Sequence, residues 1–319
     1  MSDDIARRLA GLTPQQREAL RRRMSGAGPA RATGAAPVAV ADGALSVGEE
    51  ALWAVDQLEP GNPYYNDPVL ALRFRGAMDR ARLEACVAKL VERHDVLRTR
   101  FPLKDGRPVR VLADRPLAAI ERRALSEDQL AAFLKSEAVR RFDMADGPLA
   151  AFTVVEVGEQ DTVLVVSRHH IVSDARSTQI LCRELYELYH ADGDPAAAAG
   201  PSGETSASFA TQQRKKRVSG AWDSGLAYWK EALSDVTQVD LPSDLRTQTE
   251  LSHRGGRLDT PVPAHVPQKV DDFCKANRVT PSVVFLAALH AALAERTGDA
   301  RFCIGVANDA RQGSEFENV

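Results

Sequence analysis

The apolar residues between Val69 and His190 change repeatedly from a spacing of two residues to a spacing of three and four, and this alternation constrains the fold most. The two-residue spacing predicts strands at Val69–Arg75, Pro108–Leu112, Leu149–Val157 and Thr162–Ser167. The helical spacing predicts helices at Asp79–His94, at Glu127–Arg141 after a Ser126 cap, and from about Ala175 to His190. Strands alternating with amphipathic helices predict an α/β fold, a sandwich in which helices cover a mixed sheet.

Two breaks in composition divide the chain. Residues 25–44 contain Gly, Ala and Pro with few large side chains, so we predict a flexible linker between an amphipathic helical segment at 1–24 and a folded body that begins near Leu45. Residues 191–207 form a second break and predict an exposed crossover. Beyond it, the pattern predicts a charged helix containing Trp222, Tyr228 and Trp229, a strand near 254–260, helices near 266–277 and 281–297, and a strand at Phe302–Ala307.

Charge and hydropathy argue against two classes of function. With 41 basic and 44 acidic residues, the 319-residue chain has a formal charge of −3, which argues against a nucleic-acid groove. The longest apolar stretches, 162–167 and 283–289, are far shorter than the roughly 20 residues of a membrane helix. We find no secretory signal in Met1–Met24 and expect a cytoplasmic protein. The four cysteines, at 86, 182, 274 and 303, lack metal-binding spacing and are expected in the core.

The segment Arg168–Asp174 is the clearest candidate site, because it joins an apolar strand to a predicted helix. Adjacent residues of an extended chain face opposite sides, so one of His169 and His170 should face the protein body and the other the space beyond the strand. An imidazole held in one tautomer can accept a proton near neutral pH. Asp174 can cap the helix or pair with an arginine. A purely structural strand end and, less favoured, a zinc site remain alternatives.

The spacing of His169, His170 and Asp174 resembles the HHxxxDG signature of condensation domains of non-ribosomal peptide synthetases, within the chloramphenicol-acetyltransferase-like superfamily. Further segments resemble this family in the same order along the chain. They are Leu45–Trp53, Leu58–Gly61 with Tyr65-Asn66, Arg93–Phe101, Phe142–Met144 with Gly147–Leu149, Tyr228-Trp229, and Ile304–Arg311.

The resemblance implies a chloramphenicol-acetyltransferase-like sandwich of two lobes in a V shape, with a tunnel between them. It extends from about Leu45 to Val319 and implies a complete first lobe at 45–190, a crossover linker at 191–207, and the beginning of a second lobe at 208–319 that is expected to continue beyond this sequence. Residues 1–24 are then expected to be a linker or docking segment, with a disordered segment as the alternative.

The resemblance also implies a reaction. Upstream donor and downstream acceptor carrier domains present substrates on phosphopantetheine, and the acceptor amine attacks the donor thioester to form an amide, without a bound cofactor, metal or nucleotide. His170 is the implied catalytic residue and His169 a supporting one. Asp174 is expected to be structural and to pair with an arginine, for which Arg98 and Arg311 are the candidates. Neighbouring synthetase domains are the other implied partners.

Departures from the family pattern keep two other functions open. Ala175 stands where the signature has Gly, so a positive φ there would be strained. Val47-Gly48-Glu49 and Val306–Ala310 also differ from the family. One alternative is a related epimerisation, ester-forming or starter acyltransferase domain. The other is a degenerate domain that recruits carrier or partner proteins without catalysis.

Overall fold

The computed structural model describes residues 43–58, 60–114, 120–191, 193–194, 203–236, 256, 258–308, 311 and 315–319. These residues group into two compact units. The second unit is formed by Trp222–Asn308, and the first by the preceding residues together with the segment that follows Asn308. The predicted helix at 1–24 and much of the predicted linkers at 25–44 and 191–207 lie outside the described residues.

The first unit contains eight described strands. They are β1 Leu70–Arg75, β2 Thr99–Arg100, β3 Leu103–Lys104, β4 Arg107–Pro108, β5 Val111–Leu112, β6 Glu121–Ala124, β7 Ala150–Gly158 and β8 Asp161–Arg168. Four of them form a sheet in the order β1-β8-β7-β6, in which β8 is antiparallel to both neighbours and β6 is parallel to β7. The predicted strand Pro108–Leu112 is wrong as a single element, because β4 pairs with β3 whereas β5 pairs with β2.

Five described helices belong to this unit. They are α1 Val47–Asp56, α2 Arg80–Arg93, α3 Glu127–Ala138, α4 Ala175–His190 and α5 Ser206–Val218. The side chains of Ser46 and Ser126 each accept the backbone N–H three residues later, which caps α1 and α3. Helix α3 ends three residues before its predicted end at Arg141, whereas α4 has the predicted bounds.

The core lies on both faces of the sheet, as predicted for a sandwich. Leu164 and Val166 of β8 pack in the cluster that contains residues of α2 and α4. Val163 and Val165 pack against Leu130 and other residues of α3 on the opposite face. Strand β8 is therefore covered on both sides, and its last residue is held rigidly at the strand end where the histidines follow.

Helix α5 belongs to the first unit, whereas the sequence-based division assigns it to the second lobe. Gln213 of this helix accepts the backbone N–H of Val47 at 2.7 Å, and Ser206 donates its hydroxyl to Asp95 at 2.8 Å. These polar contacts to α1 and to the residues after α2 fix α5 to the first unit. The predicted segment 208–319 is thus divided between the two units.

The second unit contains helices α6 Asp223–Ala232, α7 Val266–Asn277 and α8 Pro281–Thr297. The predicted strand Phe302–Ala307 is wrong, because these residues have no regular secondary structure and pair with no strand among the described residues. Cys303 lies in this segment and is exposed, in contrast to the predicted core position, while Cys86 and Cys274 are buried. Tyr228 and Trp229 of α6 are also exposed.

Candidate functional site

The two histidines follow β8 directly and point in opposite directions, as the strand geometry predicts. His169 is buried, whereas 46% of the His170 side chain is exposed. The backbone N–H of His169 donates to the carbonyl of Leu149 at 3.0 Å, which continues the pairing with β7 beyond the last strand residue. A 3-10 turn at His170–Val172 then leads to α4. The sheet and the helix thus hold the turn from both ends.

His169 is a neutral, structural imidazole in this arrangement. Its Nδ1 accepts the backbone N–H of Ile171 at 3.0 Å, so the ring proton of the neutral form belongs on Nε2. Burial, together with the neighbouring His170, lowers the pKa of His169 to about 4, although Asp67 acts in the opposite direction. The ring supports the turn and is uncharged at neutral pH.

His170 is held by a carboxylate that sequence analysis missed. Its Nδ1 lies 2.6 Å from Oδ1 of the buried Asp67. The backbone N–H of Asp67 donates to the carbonyl of Arg168 at 2.9 Å, and Asn66 forms an antiparallel bridge with His169. The pairing of β1 with β8 therefore places two residues that lie 103 positions apart side by side. No local spacing signals this contact.

The charges around His170 favour its protonated form and the ionised form of Asp67. The hydrogen bond to Asp67 raises the pKa of His170, burial opposes this, and the charges of Asp67 and Asp174 add to the rise. Burial alone would raise the pKa of Asp67, but the His170 hydrogen bond and the charge of Arg168 hold it below its ordinary value. A backbone hydrogen bond with Ser173 adds to the rise in the pKa of His170, and nearly half of the side chain is exposed.

Asp174 stabilises the turn at the start of α4. Its Oδ1 accepts the backbone N–H of Ser177 at 2.8 Å and thereby caps α4. Arg311 Nη2 lies 2.7 Å from Oδ1 and 2.6 Å from Oδ2 of the same carboxylate. Burial would raise the pKa of Asp174, but the Ser177 and Arg311 hydrogen bonds outweigh it and lower the pKa. Of the two candidate arginines, Arg311 is the one that contacts Asp174.

Arg98 is not part of this cluster, which corrects its assignment as a candidate partner of Asp174. Its guanidinium donates to three backbone carbonyls, those of Val91, Glu92 and Ala113, at 3.2, 3.3 and 2.8 Å. Val91 and Glu92 are in the last turn of α2, where carbonyls lack helical partners and a positive charge is favourable. Arg98 therefore caps a helix.

Ala175 fits its position without strain. It is the first residue of α4, and it is absent from the set of non-glycine residues with positive φ, which in the described part of the chain are Asp105 and Arg278. Alanine is well suited to a helical position. The departure from the glycine of the signature therefore gives no evidence of an impaired turn.

The described part of the chain contains neither a metal-binding cluster nor a membrane-spanning helix. None of its His, Cys, Asp and Glu residues form a group of three that could hold a metal ion. None of the described helices is both long enough and apolar enough to cross a membrane.

The chain is similar to parts of large synthetases. It is 33% identical over 293 residues to phosphinothricin tripeptide synthetase PhsB of Streptomyces viridochromogenes, covering 89% of this chain and 25% of that protein. It is 32% identical over 292 residues to a beauvericin nonribosomal cyclodepsipeptide synthetase of Beauveria bassiana, covering 89% of this chain and 9% of that protein. The chain thus spans a quarter or less of the length of these relatives.

The fold is similar to a solved condensation domain. The condensation domain from Monacolin K polyketide synthase MokA matches with a TM-score of 0.73 and 20% identity, over 88% of this chain and 65% of that chain. The sequence profile of the Condensation domain family matches residues 44–319, which include every residue of the cluster described above. On the strength of this match and the shared fold, the chain belongs to the condensation domain family.

Proposed function

We propose that the chain forms amide bonds between two carrier-bound substrates, with His170 as the catalytic residue. The observation that carries this proposal is the position of the His170 ring in a member of the condensation domain family: Nδ1 is held by a carboxylate, and nearly half of the side chain is exposed. A ring held in this way can present Nε2 to a reacting amine.

The proposed step joins the acceptor amine to the donor acyl group. The amine nitrogen attacks the thioester carbonyl, a C–N bond forms, and the C–S bond then breaks to release the donor thiol. His170 Nε2 accepts a hydrogen bond from the amine and takes its proton as the tetrahedral adduct forms; the proton then goes to the departing sulfur. A neutral amine is already a nucleophile, so alignment contributes much of the rate, since oriented reactants reach effective molarities of about 10⁵ M or more.

The remaining predicted residues have supporting roles in this proposal. His169 fixes the turn through the Ile171 amide, and Asp174 with Arg311 fixes the start of α4. None of these three residues needs to contact a substrate, because their role is to fix the backbone from which the His170 side chain extends. Carrier domains bearing phosphopantetheine-linked substrates, neighbouring synthetase domains and a cytoplasmic location complete the proposal.

An ester-forming reaction is the second candidate, and one relative favours it. The Beauveria bassiana relative is named a cyclodepsipeptide synthetase, and a depsipeptide contains ester as well as amide bonds. The same imidazole would then accept the proton of a hydroxyl acceptor. Offering matched carriers loaded with an amino acid or with the corresponding hydroxy acid separates the two candidates by the mass of the product.

The test incubates the protein with two carriers, one loaded with an acyl thioester and one with an aminoacyl thioester. Mass spectrometry should detect the amide on the acceptor carrier, and His170→Ala should reduce the rate at least about 100-fold, the usual contribution of a positioned proton acceptor. His190→Ala is the matched control, because this exposed histidine lies at the other end of α4. Equal rates for the two variants would refute the role of His170.

A further inference from the structure

The carboxylate that contacts His170 Nδ1 is that of Asp67, which takes no part in the proposed bond-forming step. Only 6% of the Asp67 side chain is exposed, and its Oδ1 lies 2.6 Å from His170 Nδ1. The backbone of Asp67 is also fixed, since its N–H donates to the carbonyl of Arg168. The carboxylate is therefore held in place independently of the imidazole that it contacts.

Arg168 holds Asp67 from the other side. Its side chain is 1% exposed, and Nη2 lies 3.7 Å from Asp67 Oδ2. The same nitrogen donates to the hydroxyl of Thr178 in α4 at 2.9 Å. A buried guanidinium is strongly destabilising without a nearby anion, so this pair keeps Asp67 ionised. The segment before β1 and the end of β8 thus meet at this carboxylate, and Arg168 links the pair to helix α4.

We propose that Asp67, held by Arg168, is a positioning residue that accepts the Nδ1–H of His170 and so keeps Nε2 as the proton acceptor of the ring. This inference rests on the proposed function, in which Nε2 receives the proton of the acceptor. A neutral imidazole carries one proton, so a proton placed on Nδ1 leaves the lone pair on Nε2. When Nε2 takes the second proton, the carboxylate stabilises the imidazolium.

The same contact determines how His170 titrates. The charged and titratable groups near the ring are Asp67 before β1, Arg168 at the end of β8, the adjacent His169, and Asp174 at the start of α4. His169 is neutral near pH 7, and the hydrogen bond to Asp67 is the largest influence on the pKa of His170, which it raises. Removing the negative charge of Asp67 should therefore lower the pKa of His170.

Asp67→Asn tests the role directly. The carboxamide is similar in size, but its NH₂ group can donate to Nδ1 and favour the wrong tautomer. On the alkaline plateau, kcat should fall between about 10-fold and 100-fold, the range of a hydrogen bond to a charged group, with KM for both carriers unchanged. The acid limb of the kcat profile should move to lower pH, which loss of a merely structural contact would not cause. Asp146→Asn is the exposed control and should retain the wild-type profile.

A second variant removes the risk of misfolding. Asp67→Asn combined with Arg168→Met leaves no buried guanidinium without its anion, and it should shift the acid limb in the same direction. NMR titration of the histidine rings, with His170 assigned from the spectrum of His170→Ala, gives a readout that does not depend on turnover. The pKa of His170 should fall in both Asp67 variants.

The outcomes separate this inference from the proposed function. If His170→Ala abolishes product but neither Asp67 variant changes kcat, the acid limb or the His170 titration, Asp67 is not a positioning residue. If His170→Ala leaves product formation unchanged, the proposed function fails, and so does a catalytic role for Asp67. In that case the NMR titration still decides whether Asp67 holds the ring.

Discussion

Replacing Asp174 by Ala removes two interactions at once, and a comparison of variants can separate them. The first is the helix cap, in which the carboxylate accepts the backbone N–H of Ser177. The second is the ion pair with Arg311, whose guanidinium is largely buried. Asp174→Asn keeps a side-chain oxygen that can cap α4 but loses the charge, so the two substitutions differ in the cap alone.

The expected magnitudes follow from burial. Loss of a cap lowers the free energy of unfolding by about 1 kcal/mol. Breaking a fully buried ion pair costs about 3–5 kcal/mol, but 35% of the Asp174 side chain is exposed and water screens the charge, so we expect about 2 kcal/mol. Asp174→Ala should therefore lower the free energy of unfolding by about 3 kcal/mol and Asp174→Asn by about 2 kcal/mol.

The assay is urea unfolding at pH 7, followed by the fluorescence of Trp53. The chain has three tryptophans, and replacing the other two, Trp222 and Trp229, by Phe leaves a single buried reporter in the first unit. Asp79→Ala is the control for a cap alone: Asp79 caps α2 through the N–H of Arg82, and its loss should cost about 1 kcal/mol.

A double-mutant cycle with Arg311→Met isolates the ion pair. In the Arg311→Met background, Asp174→Asn should cost at least about 1 kcal/mol less than in the wild type, because residues in direct contact are coupled. The folded-state pKa of Asp174 is lowered, so its contribution is present at neutral pH and is lost as the pH falls below about 3.9, the ordinary value of an aspartate. Equal costs of Asp174→Asn in both backgrounds would refute a stabilising role for the pair.

Three other perturbations have defined outcomes. The pKa of His169, about 4, lies below the roughly 6.5 of an unfolded histidine, so the unfolded state binds the extra proton and about 3 kcal/mol of stability is lost as the pH falls from 6.5 to 4. In urea titrations at the two pH values, His169→Asn should lose less stability than the wild type. An equal loss would contradict a buried neutral ring. Leu83→Ala, in the core, should lower the free energy of unfolding by about 2–5 kcal/mol, whereas the exposed Leu103→Ala should lower it by less than about 0.5 kcal/mol. Similar urea midpoints for the two variants would contradict the burial of Leu83. Arg98→Met should cost about 1–2 kcal/mol through the lost helix-end hydrogen bonds and leave kcat unchanged; a lower kcat at unchanged stability would place Arg98 in the site.

Local spacing was sufficient for β1, β7 and β8 of the central sheet, but it missed β6, whose residues are all exposed and show no apolar alternation. The residues of β8 alternate between two buried faces, and α4 begins directly after its Asp174 cap, as their patterns predict. Local spacing failed where an element depends on a distant strand. Phe302–Ala307 has the apolar character of a strand but finds no partner among the described residues, and a strand is defined by the backbone hydrogen bonds to its neighbour.

The sequence by itself determined that the two histidines leave β8 in opposite directions and that a carboxylate begins the next helix, because both follow from the periodicity of neighbouring residues. Only the tertiary structure decided which charged groups meet there. Asp67 reaches His170 through strand pairing across 103 positions, Arg311 reaches Asp174 across 137, and Arg98 is used at a helix end. Ion pairs between distant segments depend on how the chain folds back on itself, and residue spacing contains no information about that path.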